Sequence, residues 1–380
     1  MRRTIFSALL VLLAMVAAFA AGYLVHATRH PAGDFPLLEE AYHALQKYGL
    51  YDTPAVKDLT YGAIHGMLQV YGDPYTIFVE PSQNELQNDR LAGEFGGIGV
   101  TLEQLKDGSI VLHPIAGGPA ESAGVQDGDR LIQVDDLHTF DSLESAQAAL
   151  RGPVDTQVHL VLLRPPAWQR VEVSIQRRMF NLPSVTWHLD PAEPRLGVVA
   201  VNRMAATTSE EILQAITLLS ERGATHFALD LRDNGGGLLD SGVESARLFL
   251  SQGTIVEQQY RGKAVESISV TEPGPLVSLP LVVFVNHGTA SAAELLAGAL
   301  QAQQRAPLIG TSTYGKDTLQ LLLPLSDGSS LHVTAARWWV PGLAHPIGEG
   351  GLQPDIPLQS PDANAWLQAA RAYFFPADAK

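Results

Sequence analysis

Cysteine is absent from the 380 residues of this chain. Its absence excludes disulfide bonds, zinc sites with cysteine ligands and a catalytic thiol. Positive charge is also scarce, with 25 Lys and Arg against 40 Asp and Glu and a net charge of −15. Because such an acidic chain repels phosphate backbones, we expect no nucleic-acid partner.

Two motifs that identify many hydrolases are missing as well. The sequence contains neither the G-x-S-x-G turn of α/β hydrolases nor the H-E-x-x-H helix of zinc peptidases. His, Asp and Glu residues form no cluster with the spacing of a metal site. We therefore expect no metal and no cofactor.

A long uncharged run lies at the N-terminus, where Arg2 and Arg3 precede Thr4–Val25. About 20 apolar residues span a bilayer as a helix, and the positive-inside rule places the two arginines in the cytoplasm. We expect residues 1–25 to be a signal or single-pass anchor in the cytoplasmic (inner) membrane. Small residues at Ala18, Ala20 and Ala21 leave a cleaved signal open, but the length of the run favours an uncleaved anchor. The catalytic part would then face the periplasm or the outside.

Beyond the anchor, the hydrophobic pattern divides the chain into parts. From Pro36 to about Leu91 apolar residues recur at helical spacing. From Gly93 to Arg178 short strands alternate with tight turns, and from Phe180 onwards strands alternate with helices. The prediction is a multi-domain α+β chain with five parts: an anchor (1–25), a linker and N-terminal helical region (26–92), a β-barrel-like module (93–178), an α/β core (179–360) and a C-terminal helix or tail (361–380).

One segment whose residues could take part in catalysis is Val283–Leu295, VFVNHGTASAAEL. An apolar strand ends in a short loop, and Ser291 opens a helix. The pattern Ser291-Ala-Ala-Glu294 is a capping box, so this serine could simply cap the helix. Alternatively, a serine at a strand-to-helix turn presents its hydroxyl outwards, and the amide of Ala292 at the positive helix end can stabilise an oxyanion. Both interpretations stay open at this point, as does a Ser–His pair with His287.

Two further segments flank it. Leu308–Gln320, LIGTSTYGKDTLQ, matches most of a phosphate-binding loop, but Asp317 stands where the magnesium-binding hydroxyl belongs, so nucleotide binding is not expected. In Ala228–Leu239, ALDLRDNGGGLL, three glycines directly follow a buried strand and let the backbone approach a ligand closely.

Together these three segments resemble the carboxyl-terminal processing proteases, the tail-specific peptidases of serine peptidase family S41. The resemblance covers about Phe35 to Pro357. Four more segments carry it: LQVYGDPYTIFVEP (Leu68–Pro81) and EFGGIGV (Glu94–Val100), which look like the family's approach to its PDZ domain, GDRLIQVDD (Gly128–Asp136), which looks like the middle of that domain, and IGEGGLQPDI (Ile347–Ile356), which looks like the C-terminal signature.

The resemblance implies a role for five positions. Ser291 would be the nucleophile, Lys316 the general base, and Gln320 the group that orients the base. The backbone amides of Ala292 and Gly236 would form the oxyanion hole. A lysine can act as a base only when it is neutral, which requires burial to lower its pKa.

The resemblance also identifies the β-barrel-like module as a PDZ domain and the α/β core as catalytic. The loop Gly97-Ile98-Gly99 would bind the terminal carboxylate of a substrate. Expected partners are proteins with free, apolar C-termini, together with an activating adaptor or a second copy of the chain.

The sequence departs from the family pattern at two points. The family usually has Asn-Pro-Gly-Gly where this chain has Asn234-Gly-Gly-Gly237, which loosens the loop around Gly236. Asp317 follows Lys316 where glycine is commoner, and an acidic neighbour there would raise the lysine pKa. Two other functions stay open: a catalytically silent PDZ scaffold in which Ser291 only caps its helix, and a Ser–His hydrolase that uses His287.

Overall fold

The computed structural model describes Met15 and residues 35–81, 83–84, 94–105, 107–115, 117–138, 140, 143–181 and 183–376. The chain divides into two compact units, Met1–Val70 and Tyr71–Lys380. Helices and strands are mixed, and the predicted multi-domain α+β fold is confirmed. The linker that begins the region 26–92 was expected at residues 26–35, and all of it except Phe35 lies outside the described residues.

Two helices account for most of the described part of the first unit, α1 (Pro36–Tyr48) and α2 (Val56–Tyr71). Proline is well suited to the first turn of α1. An N–H at that position would have no intrahelical acceptor, so proline loses no hydrogen bond there. α1 buries no residue, and α2 buries only Tyr61. The helical pattern of the sequence is therefore confirmed, but its apolar residues are largely exposed.

The structure contradicts the expectation of single-pass anchoring in the cytoplasmic membrane. None of the helices in the described ranges is long and apolar enough to cross a bilayer. The longest of them, α2, has 16 residues and carries Lys57 and Asp58, whereas a span requires about 20 predominantly apolar residues. The run Thr4–Val25, on which the expectation rested, lies outside the described residues except for Met15.

Residues 94–181 form a compact unit of strands that we call the β module. Five of its strands make one antiparallel sheet in the order β3-β4-β5-β6-β7, while β2 pairs with β8. The core is a cluster of apolar side chains that includes Leu112, Leu160 and Leu162. Its elements are β2 (Glu94–Gly97), β3 (Val100–Gln104), β4 (Ile110–Pro114), α3 (Pro119–Ser122), β5 (Asp129–Val134), α4 (Leu143–Leu150), β6 (Gln157–Arg164), β7 (Gln169–Gln176) and β8 (Arg178–Asn181).

The α/β core contains a six-stranded sheet in the order β18-β15-β14-β11-β10-β9. All neighbours are parallel except β9 and β10. Because the carboxyl ends of parallel strands share one edge, the loops after β11, β14 and β15 meet there. The elements are β9 (Val185–Asp190), β10 (Glu193–Val201), α5 (Thr208–Glu221), β11 (His226–Asp230), α6 (Leu239–Arg247), β14 (Leu281–Val285), α7 (Ala292–Ala302), β15 (Leu308–Gly310), β18 (Ile356–Pro357) and α8 (Ala363–Phe374).

A second, five-stranded sheet stands beside this edge. It consists of β1 (Ile77–Val79), β12 (Thr254–Tyr260), β13 (Glu266–Ser269), β16 (Thr318–Pro324) and β17 (Ser330–Trp339). β1 pairs antiparallel with β17, with Ile77 opposite His332. The segment Leu68–Pro81, interpreted from sequence as the approach to the β module, thus also contributes a strand to the α/β core.

Candidate active site

Ser291 stands at the sharp turn between β14, which is apolar and entirely buried, and α7. Its backbone has φ 56° and ψ −123°, whereas a serine that caps a helix takes an extended backbone. A positive φ at a non-glycine residue costs about 1–3 kcal/mol and persists only where the surroundings impose it. A strained turn from strand to helix is also how hydrolases present a serine hydroxyl to a substrate.

The carboxylate of Glu294 ties this turn to the loop that carries Lys316. Its Oε2 accepts hydrogen bonds from the backbone N–H groups of Ser291 at 2.8 Å and of Lys316 at 2.9 Å. Its Oε1 accepts from the N–H of Gly315 at 2.7 Å and from the hydroxyl of Thr313. Burial raises the pKa of Glu294, although these hydrogen bonds oppose the rise. One buried side chain therefore fixes the serine turn and the lysine loop to each other.

The side chain of Lys316 is partly buried and lies beside an aromatic ring. Burial lowers the pKa of Lys316, and the negative charges of Asp73 and Glu294 oppose that change. Its Nζ stands 5.1 Å from the centre of the Tyr75 ring. Lowering of the pKa increases the fraction of neutral amine near neutral pH, which is the form that can take a proton.

The loop of Lys316 is closed on its other side by residues 347–352. The N–H of Thr313 donates to the carbonyl of Leu352 at 3.2 Å, and the N–H of Leu352 donates to Thr313 Oγ1 at 2.8 Å. The carboxylate of Asp317 lies against Gly348, where an added Cβ would come within 2.5 Å of Oδ2. The acidic neighbour of the lysine is thus in contact with this closing segment.

The three glycines of the predicted loop lie directly against the serine turn. A Cβ at Gly236 would stand 2.8 Å from the Cβ of Ser291 and 3.1 Å from the N of Ala292, so no side chain fits there. The N–H of Gly236 donates to Oδ1 of the buried Asn234 at 2.9 Å. The N–H of Ala292 lies in the first turn of α7, where backbone N–H groups have no intrahelical partner.

One cavity of about 1080 Å³ brings these segments together. Ser291, Lys316 and Gln320 line it, and so does the glycine loop Gly235–Gly237. Gln320 donates to the hydroxyls of Thr318 at 3.1 Å and Thr334 at 3.3 Å. Within the described part of the chain, the Ser291 hydroxyl makes no hydrogen bond to Lys316 Nζ. Hydrogen bonds between catalytic groups are often long without substrate and shorten when substrate binds.

His287, the alternative base, is not among the residues that line this cavity. Its side chain is exposed, and its ring lies 5.8 Å from that of Tyr314. The sequence offered two candidate bases for Ser291, and the structure places them differently. Lys316 faces the cavity that Ser291 lines, whereas His287 faces solvent.

Several lining residues were not predicted, and Tyr75, Ile77 and His332 are among them. The first two come from the turn and strand that join β17. His332 is buried and within 3.0 Å of the Ser330 hydroxyl, and burial together with the nearby Lys316 lowers its pKa. The only signal in the sequence was the Asp73-Pro74 turn before a short apolar run, which does not reveal its strand partner.

In the β module, the predicted loop Gly97-Ile98-Gly99 is buried between β2 and β3. The carbonyl of Ile98 accepts from the N–H of Ala120 at 2.7 Å, and the carbonyl of Gly99 accepts from the N–H of Ile115 at 2.9 Å. Because its carbonyls are bonded inside the module, the loop is held rigidly, and no described atom accepts from the N–H groups of Ile98 and Gly99.

A strained serine turn beside a partly buried lysine, on an α/β core joined to a small β module, defines a serine-type hydrolase with an accessory binding domain. Comparison with protein-family models agrees with this class. Residues 195–358 match the model of peptidase family S41, and residues 110–164 match that of the PDZ domain.

Curated relatives extend the match over most of the chain. The carboxyl-terminal-processing protease of Synechocystis sp. is 37% identical over 310 residues, which are 80% of this chain and 72% of the relative. The carboxy-terminal processing protease CtpA of Bacillus subtilis is 34% identical over 331 residues, 86% of this chain and 70% of the relative. Among solved structures, the photosystem II D1 C-terminal processing protease is 32% identical, with a TM-score of 0.48, 85% of this chain covered and 92% of the other.

The chain therefore belongs to peptidase family S41 and is a carboxyl-terminal processing serine protease with a PDZ domain.

Proposed function

We propose that this protease cuts peptide bonds with a Ser291–Lys316 pair, in protein substrates whose C-terminal tails are bound by the β module. The observation that carries the proposal is the carboxylate of Glu294, which bonds the backbone of both residues while their side chains line one cavity. A helix cap alone would not require the lysine loop to be fixed to the serine turn.

The chemistry follows from that arrangement. The neutral amine of Lys316 takes the hydroxyl proton of Ser291 while Oγ bonds to the substrate carbonyl carbon. The carbonyl electrons move to oxygen, and the resulting oxyanion accepts from the amide of Ala292. The second donor that the family resemblance implies is the N–H of Gly236, which must leave its bond to Asn234 Oδ1 to reach the oxyanion. The lysine ammonium then gives its proton to the leaving amine as the C–N bond breaks. Water hydrolyses the acyl-enzyme with Lys316 again as base.

Gln320 is proposed to orient the amine, because it lines the same cavity and has a fixed side chain. Burial of Lys316 lowers its pKa, so the active neutral form is present at a lower pH than for a free lysine. Activity should accordingly rise with pH through that lowered pKa and stay high on the alkaline side.

A comparison of Lys316→Ala with His287→Ala tests the pair. The lysine variant should lose essentially all turnover, and Lys316→Arg should not restore it, because a guanidinium stays protonated. The histidine variant should keep most of its activity. Each variant is assayed from pH 6 to pH 10 on an unstructured protein, with its fold checked by circular dichroism and Ser291→Ala as the negative control for a serine-reactive probe.

Two results would contradict the pair. Normal turnover in Lys316→Ala together with an inactive His287→Ala would identify a Ser–His hydrolase. If the parent chain neither cuts any substrate nor reacts with the probe, Ser291 is only a helix cap, and a PDZ scaffold replaces the protease mechanism.

Tail selection rests on the rigid loop Gly97-Ile98-Gly99. Its N–H groups would receive a terminal carboxylate, and the neighbouring edge strand β3 would pair with the extended tail. Peptides that end in apolar residues should be cut more slowly once that terminus is amidated. Equal rates for the acid and the amide would show that the β module does not select tails in this way.

An activating adaptor or a homo-oligomer stays a prediction. Sedimentation velocity of the protein alone measures the second, because a self-associating chain sediments faster as its concentration rises.

A further inference from the structure

The turn that precedes β1 lies in the segment Leu68–Pro81 and reaches the active site from outside residues 195–358, which match the S41 family model. Asp73 accepts hydrogen bonds from the N–H of Tyr75 at 3.2 Å and from the hydroxyl of Thr76 at 2.5 Å. The same Thr76 oxygen accepts from the N–H of Thr334 in β17 at 3.1 Å. Asp73 therefore holds the turn in shape, and Thr76 fixes it to the core sheet.

This fixed turn places an aromatic ring at the amine of Lys316. Nζ stands 5.1 Å from the centre of the Tyr75 ring, within the range of a cation–π interaction. Tyr75 also lines the cavity that contains Ser291. The ring face attracts an ammonium and not a neutral amine, so the contact strengthens when Lys316 takes the serine proton.

We propose that Tyr75 is a positioning residue of the protease, whose ring receives the Lys316 ammonium that forms when Ser291 is deprotonated, and that Asp73 holds the ring in place. The inference rests on the proposed role of Lys316 as base.

The surrounding charges are consistent with this role. The titratable groups described around the amine are Asp73 and Tyr75 in the turn, Glu294 in α7 and His332 in β17. Burial raises the pKa of the Tyr75 phenol, and the nearby hydroxyl of Tyr314 and acidic groups raise it further. The phenol thus stays protonated at neutral pH and does not compete with Lys316 as a base.

A pair of substitutions at Tyr75 separates the ring from its hydroxyl. Tyr75→Phe keeps the ring face and should behave as the parent. Tyr75→Leu removes the ring and should reduce kcat about fivefold to tenfold. Because the ring favours the ammonium, its loss should lower the lysine pKa and move the acid limb of kcat/KM to lower pH by about half a unit to one unit.

Asp73→Asn provides an independent arm with a nearly isosteric side chain. The charge of Asp73 raises the pKa of Lys316, so its removal should also move the acid limb to lower pH. Ile77→Ala is the matched control, since Ile77 lines the same cavity from the first position of β1 and carries no charge or ring. That variant should leave the acid limb in place, whatever its effect on KM.

All variants are assayed in the full chain on one peptide with a free C-terminus, with thermal unfolding followed in parallel. An unchanged acid limb and kcat in Tyr75→Leu overturns the inference whatever Asp73→Asn does, because the charge of Asp73 acts on Lys316 directly. Equal losses in Tyr75→Phe and Tyr75→Leu overturn it as well, because the hydroxyl would then be responsible. Lys316→Ala, measured alongside, distinguishes the causes: if it remains active, the proposed base itself is wrong.

Discussion

The α/β core and the β module hold their functional atoms in different ways. In the core, the side chains proposed to react depend on buried polar groups, as Glu294 and Asn234 show with their bonds to the serine turn, the lysine loop and the glycine loop. In the β module, the loop proposed to bind tails depends on main-chain bonds and on Ile98, whose side chain belongs to an apolar cluster. The first arrangement requires particular side chains, whereas the second requires a particular backbone shape.

This difference predicts two kinds of damage. Changes to the buried polar groups of the core should reduce the rate of the chemical step, because they move reacting groups. Changes to the loop of the β module should weaken the binding of tails and leave the chemical step intact.

Glu294→Gln should produce the largest loss. Each carboxylate oxygen accepts two hydrogen bonds, from Ser291 and Lys316 at Oε2 and from Thr313 and Gly315 at Oε1. Whichever way the amide is turned, its NH₂ faces two donors and loses both bonds. A displacement of about 1 Å between reacting groups costs about a hundredfold in rate, so kcat should fall by about that factor with KM nearly unchanged.

Glu211→Gln is the matched control for that substitution. The carboxylate of Glu211 also accepts several hydrogen bonds, from both N–H and hydroxyl of Ser184, from the N–H of Val185 and from the hydroxyl of Thr207. It is not among the cavity residues. Both variants should lower the denaturation midpoint, but only Glu294→Gln should slow turnover of the folded protein. Equal kcat values in the two variants would contradict the prediction that Glu294 positions Ser291 and Lys316 for the reaction.

The same residue shows how far the sequence alone can lead. Ser291-Ala-Ala-Glu294 was readable as a capping box, and the structure contains the bond from the Ser291 N–H to Glu294 that this pattern implies. The sequence does not predict that the same carboxylate also binds the backbone of Lys316, because that contact joins two loops that follow different strands. A local pattern predicts local bonds, and the long-range partner requires the fold.

The parallel sheet was predictable for a related reason. β14 (LVVFV) is a short, continuous apolar run and β11 (HFALD) has an apolar centre, a pattern that indicates strands buried on both faces. The loops after such strands meet at one edge. β1 has only three residues, and the hydrogen bond that fixes the turn before it joins residues 258 positions apart. Nothing local in so short a strand identifies its partner, so Tyr75 was missed.

Gly118→Ala should have an intermediate effect, confined to tail binding. Gly118 has φ −78° and ψ 166°, a backbone that alanine adopts easily. Its new Cβ would nevertheless stand 2.9 Å from the carbonyl oxygen of Ile115, so that residue must shift. Because the N–H of Ile115 donates to the carbonyl of Gly99 at 2.9 Å, the shift should be passed to the loop proposed to bind tails. Loss of one hydrogen bond to a charged carboxylate costs about 1.5–3 kcal/mol, so KM should rise about tenfold or more.

The measurement for Gly118→Ala compares one peptide as free acid and as amide. The variant should raise KM for the acid and leave both kcat and the slow cleavage of the amide as they are in the parent. A fall in kcat for both peptides would break the division between the two regions, because the loop would then affect the chemical step.

The smallest effect is expected at Gly235, where the core departs from the Asn-Pro-Gly-Gly pattern of the family it resembles. A Cβ at Gly235 meets no atom within 4 Å, and the residue has no positive φ, so alanine fits the native backbone. Gly235→Ala should stabilise the folded protein by about 0.4–1 kcal/mol, since it reduces the freedom of the unfolded chain.

Gly236→Ala is the opposing variant: its φ is +94° and its Cβ would lie 2.8 Å from Ser291, so both stability and turnover should fall. Urea denaturation of the two variants measures the difference. A lower midpoint in Gly235→Ala would mean that this position, like Gly236, requires glycine. The three-glycine loop after Asn234 would then be a required part of the active site, and not merely a loosened form of the Asn-Pro-Gly-Gly pattern.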